Sequence, residues 1–319
     1  MNSRVAVIGM GNMGGAFAEA LSRLEGIELC VYDSHRPSAE AVANRSECGV
    51  ASETTSESAV SSGSAAPSEC VASSERARSS ESAESSGSAT LSGSEKVTTC
   101  GRRVRVLSAL DEAKGSHIVI IAVKPQVLPT IYDNLAALRP DFFISIAGGV
   151  TVETLVSHLK TDKVARFMPN IAAKVGSSVT AVTYSGGLST EERAEAMRIA
   201  LSVGSAFELD ENLFGAFIGL SGSGIAYMFD MMHYMAMGGV REGIPYPKAL
   251  AIVADTMLSA ANLQRATGKN AIELETMVCS AKGITIEGVA ALAEGGFGSA
   301  LMNAVSVAAR KSEEMEGKK

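Results

Sequence analysis

No C-x-x-C pair occurs anywhere in the 319 residues, and the five cysteines, Cys30, Cys48, Cys70, Cys100 and Cys279, form an odd set without metal-ligand spacing. That argues against a structural zinc site or a disulfide framework. With no leader-like segment after Met1-Asn2-Ser3-Arg4, it suits a reducing, cytoplasmic setting. A Lys/Arg-rich run is also missing and the net charge is −7, which leaves no footprint for nucleic acid or an anionic membrane. An unbroken apolar span is absent too. The most apolar late stretch, 214–240, is interrupted by six glycines and carries Asp230 and His233, so it reads as a buried helix region. The length allows about two domains and a generous core, and the expected partner is a small molecule.

What is present begins at the N-terminus. Val5-Ala6-Val7-Ile8 is a continuous apolar run suited to a strand buried on both faces. It feeds Gly9-Met10-Gly11-Asn12-Met13-Gly14, and Ala16 to Leu21 then reads as a helix. In a strand, G-x-G-x-x-G, helix arrangement the first glycine makes the tight turn. The second lets a diphosphate approach the backbone, the third lets helix and strand pack closely, and the phosphate meets the positive end of the helix. A second strand, Leu29-Cys30-Val31-Tyr32, ends in Asp33. Asp33 would accept from ribose hydroxyls and repel a 2′-phosphate, whereas His35 and Arg36 favour one, so NAD and NADP both stay open.

Serine makes up roughly a third of residues 51–100, with glutamate, glycine and alanine filling much of the remainder and no aromatic. The expectation is a disordered insertion on a surface connection, either inert or carrying phosphorylation or a partner segment. Beyond it the alternation resumes. A short strand 103–107, a buried strand 117–123, a helix 127–138, a strand 142–146 and a helix 151–159 imply a parallel, doubly wound sheet. Ligands bind beyond the carboxyl ends of such strands. That places Ala122-Val123-Lys124-Pro125 and Ala147-Gly148-Gly149 on the rim that holds the fingerprint. Strands 164–168 and 179–183 follow, and from about Asp210 the chain reads as mostly helical.

Far downstream, Ser280-Ala281-Lys282-Gly283-Ile284-Thr285 is a small-residue loop opening into a helix. Gly283 permits a tight turn, and several free N–H groups can converge there on a carboxylate beside one hydroxyl.

Taken together, these blocks resemble pyrroline-5-carboxylate reductase. The match covers the chain apart from the Ser-rich insertion, with Gly9 to Met13, Ala122-Val123-Lys124-Pro125-Gln126, Ser145 to Val150, Arg166-Phe167-Met168-Pro169-Asn170, Leu220 to Tyr227 and the distal loop in family order. Departures exist. Ala281 and Lys282 stand where the family has Pro and Gly, Ile284 precedes the matching Thr285, Ile225 replaces a Pro, Ile171-Ala172 replace Thr-Pro, and Gly215 replaces an acid.

The resemblance implies an α/β fold in which a Rossmann domain, 1–209, precedes an all-helical domain, 210–319, that pairs with a second subunit. It implies NAD(P)H-dependent reduction of 1-pyrroline-5-carboxylate to proline in a homodimer or larger homo-oligomer. Cofactor contacts fall on Gly9, Met10, Gly11, Asn12, Met13, Gly14, Asp33, Arg36, Ala122, Val123, Lys124, Pro125 and Ala147. Substrate contacts fall on Ser280, Gly283, Ile284, Thr285 and Glu211, with the N–H groups of Gly283, Ile284 and Thr285 on the carboxylate and the Thr285 hydroxyl on the imine nitrogen, and no metal is involved. Bland readings stand beside these: Thr285 as a helix N-cap, Glu211 as an acid opening a helix. A related cyclic imine acid as substrate and a non-catalytic NAD(P) sensor are the alternatives. A β-hydroxyacid dehydrogenase would want a Lys in the helix after the Gly-rich segment, and residues 225–240 contain none.

Overall fold

The computed structural model describes residues 3–47 and 104–317, so the expectation made for 51–100 lies outside the described residues. Among the described residues eight strands form one sheet: β1 (Ser3–Ile8), β2 (Ile27–Tyr32), β3 (Val104–Val106), β4 (Ile118–Ile121), β5 (Phe142–Ser145), β6 (Val164–Met168), β7 (Ser178–Tyr184) and β8 (Gly204–Glu208). Their order is β3-β2-β1-β4-β5-β6-β7-β8. Chain progression reverses between β1 and β4, and a crevice opens there at the strands' carboxyl ends.

Alternate side chains explain the layering. Val5 and Val7 of β1, Ile118 and Ile120 of β4, and Phe142 and Ile144 of β5 enter one core with helices α1 (Asn12–Leu21), α2 (Arg36–Glu47) and α5 (Thr190–Leu201). The intervening Ala6, Ile8, Val119, Ile121 and Phe143 enter the other with α3 (Leu128–Ala136) and α4 (Val152–Leu159). A strand that feeds two cores has no solvent face, which is why these segments are apolar without interruption. Each fully buried Val, Ile or Phe contributes about 1.5–3 kcal/mol.

Three features differ from the sequence expectation. The first helix begins at Asn12, directly after Gly11, and not at Ala16. The sheet is not wholly parallel: β7 runs antiparallel to β6, because the two are joined by the short 3-10 turn Ile171–Val175 instead of a crossover helix. β8, parallel to β7 at the sheet's edge, was not foreseen.

The C-terminal part is helical from α6 (Phe214–Phe217) through a π turn (Ile218–Gly222) to α7 (Gly224–Arg241), α8 (Tyr246–Thr267), α9 (Ala271–Val278), α10 (Ile284–Glu294) and α11 (Phe297–Met315). α11 lies tight on the π turn, where a Cβ on Gly219 would stand 2.6 Å from the Val305 carbonyl oxygen. The expected burial of 214–240 is corrected here. Phe229 is 58% exposed, Tyr234 67% and Met235 52%, since nothing else among the described residues covers that side of α7. By length and composition alone the run Glu211–Arg241, of mean hydropathy 1.2, is apolar enough to cross a membrane. Its glycines, the π turn and Asp230 make it poor for that purpose and suitable for packing against another protein surface.

Candidate functional site

Gly9 ends β1 with φ +101°, and a Cβ there would come within 2.9 Å of the Ala122 and Val123 backbone at the end of β4. The third glycine, Gly14, is closer still to its neighbours: a Cβ would overlap the Gly9 carbonyl. These two glycines weld the turn into the crevice between β1 and β4. Gly11 differs, because a Cβ on it would meet nothing within 4 Å. Open space therefore lies against the backbone that begins α1, where the N–H groups of Asn12 and Met13 have no intrahelical acceptor. A cofactor diphosphate fits that cradle by shape and by charge.

Asp33 touches this loop directly. Its Oδ2 accepts from the Met10 N–H at 2.6 Å and its Oδ1 from the His35 N–H at 2.8 Å. Both carboxylate oxygens therefore already hold backbone, and one of them fixes the fingerprint turn. Arg36 is tied to Glu40 at 2.8 Å and reaches the Ser108 hydroxyl at 3.3 Å, while the His35 ring lies 2.9 Å from the Ser38 hydroxyl. On the rim, Ala147 is buried and its N–H donates to the Ser145 hydroxyl at 3.3 Å. Lys124 is exposed, with Ala122, Val123 and Pro125 half-buried around it.

A cleft of about 910 Å³ adjoins this rim, walled by Pro125, Gln126, Gly148 and Gly149 on one side and by Tyr227, Ala304, Ala308 and Lys311 on the other. The α11 wall was missed in the sequence. Its signal is the helical spacing of Ala304, Val307, Ala308, Lys311, Ser312 and Met315, all of which line the cleft.

Glu211 is half-buried. It accepts from the Val152 N–H, the first residue of α4, at 2.7 Å and from Arg166 Nη1 at 2.6 Å. Arg166 is fully buried, pairs also with Glu316 at 2.5 Å just after α11, and lies 4.8 Å over the Phe214 ring. Glu211 therefore caps α4 and helps bind the sheet to the C-terminal helices. The sequence reading named Glu211 but passed over Arg166 as an ordinary strand residue.

The distal loop is built as a turn. The Gly283 N–H donates to the Ser280 carbonyl at 2.9 Å, and a Cβ on Gly283 would collide with the Ser280 hydroxyl. This differs from the expected cluster of three donors, since Gly283's N–H is engaged inside the turn and Ile284 and Thr285 supply the first N–H groups of α10. Gly283 is the N-cap; Thr285 is the second helical residue, and its hydroxyl has no hydrogen bond among the described residues. The N-cap reading of Thr285 is thereby corrected. Lys282 holds φ +59°, a left-handed conformation unusual for a side-chain-bearing residue. The loop faces solvent, with Ile284 95% exposed, and Ser280 to Thr285 do not line the cleft beside the fingerprint. Among the described residues no group of three or more His, Cys, Asp or Glu could hold a metal.

Comparison with known proteins adds to this geometry. Residues 211–315 match the family model for pyrroline-5-carboxylate reductase dimerisation, and residues 4–90 match that for the NAD binding domain of 6-phosphogluconate dehydrogenase. A pyrroline-5-carboxylate reductase from Methanosarcina acetivorans is 40% identical over 209 residues, covering 65% of this chain and 77% of that one. One from Aquifex aeolicus is 36% identical over 204 residues, covering 64% and 77%. In fold, the chain is similar to a pyrroline-5-carboxylate reductase structure from Coxiella burnetii, with TM-score 0.76, 19% identity and 99% of both chains covered. It is similar also to a Plasmodium falciparum pyrroline carboxylate reductase with NADP bound, with TM-score 0.70, 20% identity and 99% and 98% covered.

Proposed function

The chain belongs to the pyrroline-5-carboxylate reductase family, whose reaction is the NAD(P)H-dependent reduction of 1-pyrroline-5-carboxylate to proline, and from that premise we infer that its site is completed by a second copy of itself. One observation carries this. Among the described residues the cleft at the fingerprint rim is lined by none of the distal loop, while α7 to α11 leave large apolar side chains in solvent. A second copy laid on those helices would bury them and bring its loop to the cleft. The family match over 211–315 supports the pairing, and with it the division into a cofactor domain, 1–209, and a helical pairing domain, 210–319. A homodimer or larger homo-oligomer acting in the cytoplasm is the form proposed.

In that arrangement Gly9 to Gly14, Ala122 to Pro125 and Ala147 would hold the dinucleotide, which would supply the hydride when bound. The chain's residues do the rest. The Ile284 and Thr285 N–H groups hold the substrate carboxylate, with Ser280 beside them, so the ring is oriented rather than merely enclosed. The Thr285 hydroxyl, without a hydrogen-bond partner in the described chain, bonds the imine nitrogen and steers its protonation. Glu211 acts one step removed, by holding Arg166 and the start of α4. The N–H of Gly283 serves the turn.

The functional assay is NADH and NADPH oxidation with 1-pyrroline-5-carboxylate beside the six-membered imine acid. Turnover with the five-membered ring is expected, with proline as product. Turnover confined to the six-membered ring would move the chain to the alternative substrate, and cofactor binding with no reduction of either would make it a sensor.

Asp33 gives a further expected outcome. Asp33→Ser removes a charge-assisted hydrogen bond to the fingerprint loop, which loosens the cradle for both dinucleotides, and it also removes a charge that opposes a 2′-phosphate. Direct titration should show NADH binding weakened by about 10-fold and NADPH weakened less. Equal affinities in variant and wild type would show that the loop holds itself.

A further inference from the structure

We propose that Lys174, from the 3-10 turn between β6 and β7, is a ligand for the cofactor's diphosphate. A cavity of about 390 Å³ opens at the start of α1, where Met10, Gly11 and Asn12 of the fingerprint share its wall with Glu19, Arg45 and Lys174. The charges in it are not equivalent. Arg45 and Glu19 satisfy each other at 2.6 Å, whereas Lys174 is exposed and has no ion pair or hydrogen bond among the described residues. The cavity therefore holds one uncommitted cation next to the N–H groups that face an incoming dianion.

The backbone that carries Lys174 is held firmly. Asn170 caps the turn by accepting from the Ala172 N–H at 3.1 Å, and the Ser177 N–H returns to the Ala172 carbonyl at 3.0 Å. Ala173 is buried in the core that also contains Ala16 and Phe17 of α1. The lysine stem thus starts from an element fixed against the same helix whose N-terminus binds the phosphate. Only the flexible side chain must be ordered on binding, and a Lys ammonium acts as a point charge that tolerates several diphosphate poses. Asp33 grips the fingerprint turn through Met10 from the end of β2, so Lys174 would close the cradle from the β6 and β7 side.

This inference rests on the reading that NAD(P)H lies along Gly9 to Gly14, and the test separates the two. Dissociation constants for NADH and NADPH are measured by fluorescence titration on wild type, Lys174→Ala and Lys174→Arg, at low and high salt. Lys174→Ala should weaken both dinucleotides alike, by about 5- to 10-fold at low salt and less at high salt, with the melting temperature unchanged and Lys174→Arg close to wild type. Wild-type affinity in Lys174→Ala would overturn the proposal while leaving the cofactor site in place. A loss confined to NADPH would place Lys174 at the 2′-phosphate, and would overturn it as well. Failure of the wild type to bind either dinucleotide would instead remove the cofactor reading on which it stands.

Discussion

Gly11→Asp should abolish cofactor binding at working concentrations while leaving the fold intact. The two halves of that result have separate causes. A side chain at Gly11 enters open space, its backbone is extended with φ −71° and ψ −167°, and the position is the N-cap of α1, where Asp is among the preferred residues. The new carboxylate would accept from the N–H groups that otherwise face the diphosphate, so the melting temperature should hold or rise. The same carboxylate would place a negative charge about 4 Å from those of the diphosphate, a repulsion of about 4 kcal/mol for each charge pair at an effective dielectric of 20. Screening reduces it, and affinity for NADH and NADPH should fall by about 100- to 1,000-fold. Titration beside a thermal melt checks both halves, and a variant that binds normally would mean that the diphosphate lies elsewhere.

Thr285→Ala should act on turnover and leave cofactor affinity alone. The Ile284 and Thr285 N–H groups persist in the variant, so the carboxylate keeps its hold. Only the hydroxyl beside the imine is lost. Because the hydroxyl has no hydrogen bond in the described chain and Thr285 is not the N-cap, its removal costs the helix little. One hydrogen bond made to the reacting nitrogen corresponds to about 10- to 100-fold in kcat. Thr285→Ser should recover part of it. Steady-state kinetics of the three proteins, with NADPH binding measured directly, would reduce Thr285 to a surface helix residue if kcat were unchanged in the Ala variant.

Much of the fold is written in local pattern. β1, β4 and β5 are apolar without break because each feeds two cores, and their alternation with helices gives the sheet. β7 is harder to place. Its residues look like those of any strand, and its antiparallel direction is set by the 3-10 turn Ile171–Val175, whose length and not its composition forbids a crossover. The buried ion pairs are hidden for another reason: Glu211 and Arg166 are separated by 45 residues, and neither carries a local signature of the other. The candidate site divides in the same way. Fingerprint spacing identifies Gly9, Gly11 and Gly14, and the second strand's end identifies Asp33, yet the bond from Met10 to Asp33 exists only once two strands lie side by side. Lys174 is a lone lysine in a turn until β6 and β7 bring it to α1. The distal loop is legible as an anion-binding turn, but the sequence does not say whose cleft it serves.

That last point is the centre of the account, and co-expression of the two variants tests it directly. Gly11→Asp subunits lack a working cofactor cradle but keep an intact loop, and Thr285→Ala subunits have the reverse. If the loop of one copy completes the cleft of another, mixed oligomers contain a site with wild-type residues on both sides. The purified mixed species, assayed with NADPH and 1-pyrroline-5-carboxylate, should then exceed the average kcat of its two parents by a wide margin. Activity no higher than that average would mean that each chain closes its own site, contradicting a catalytic centre shared between subunits.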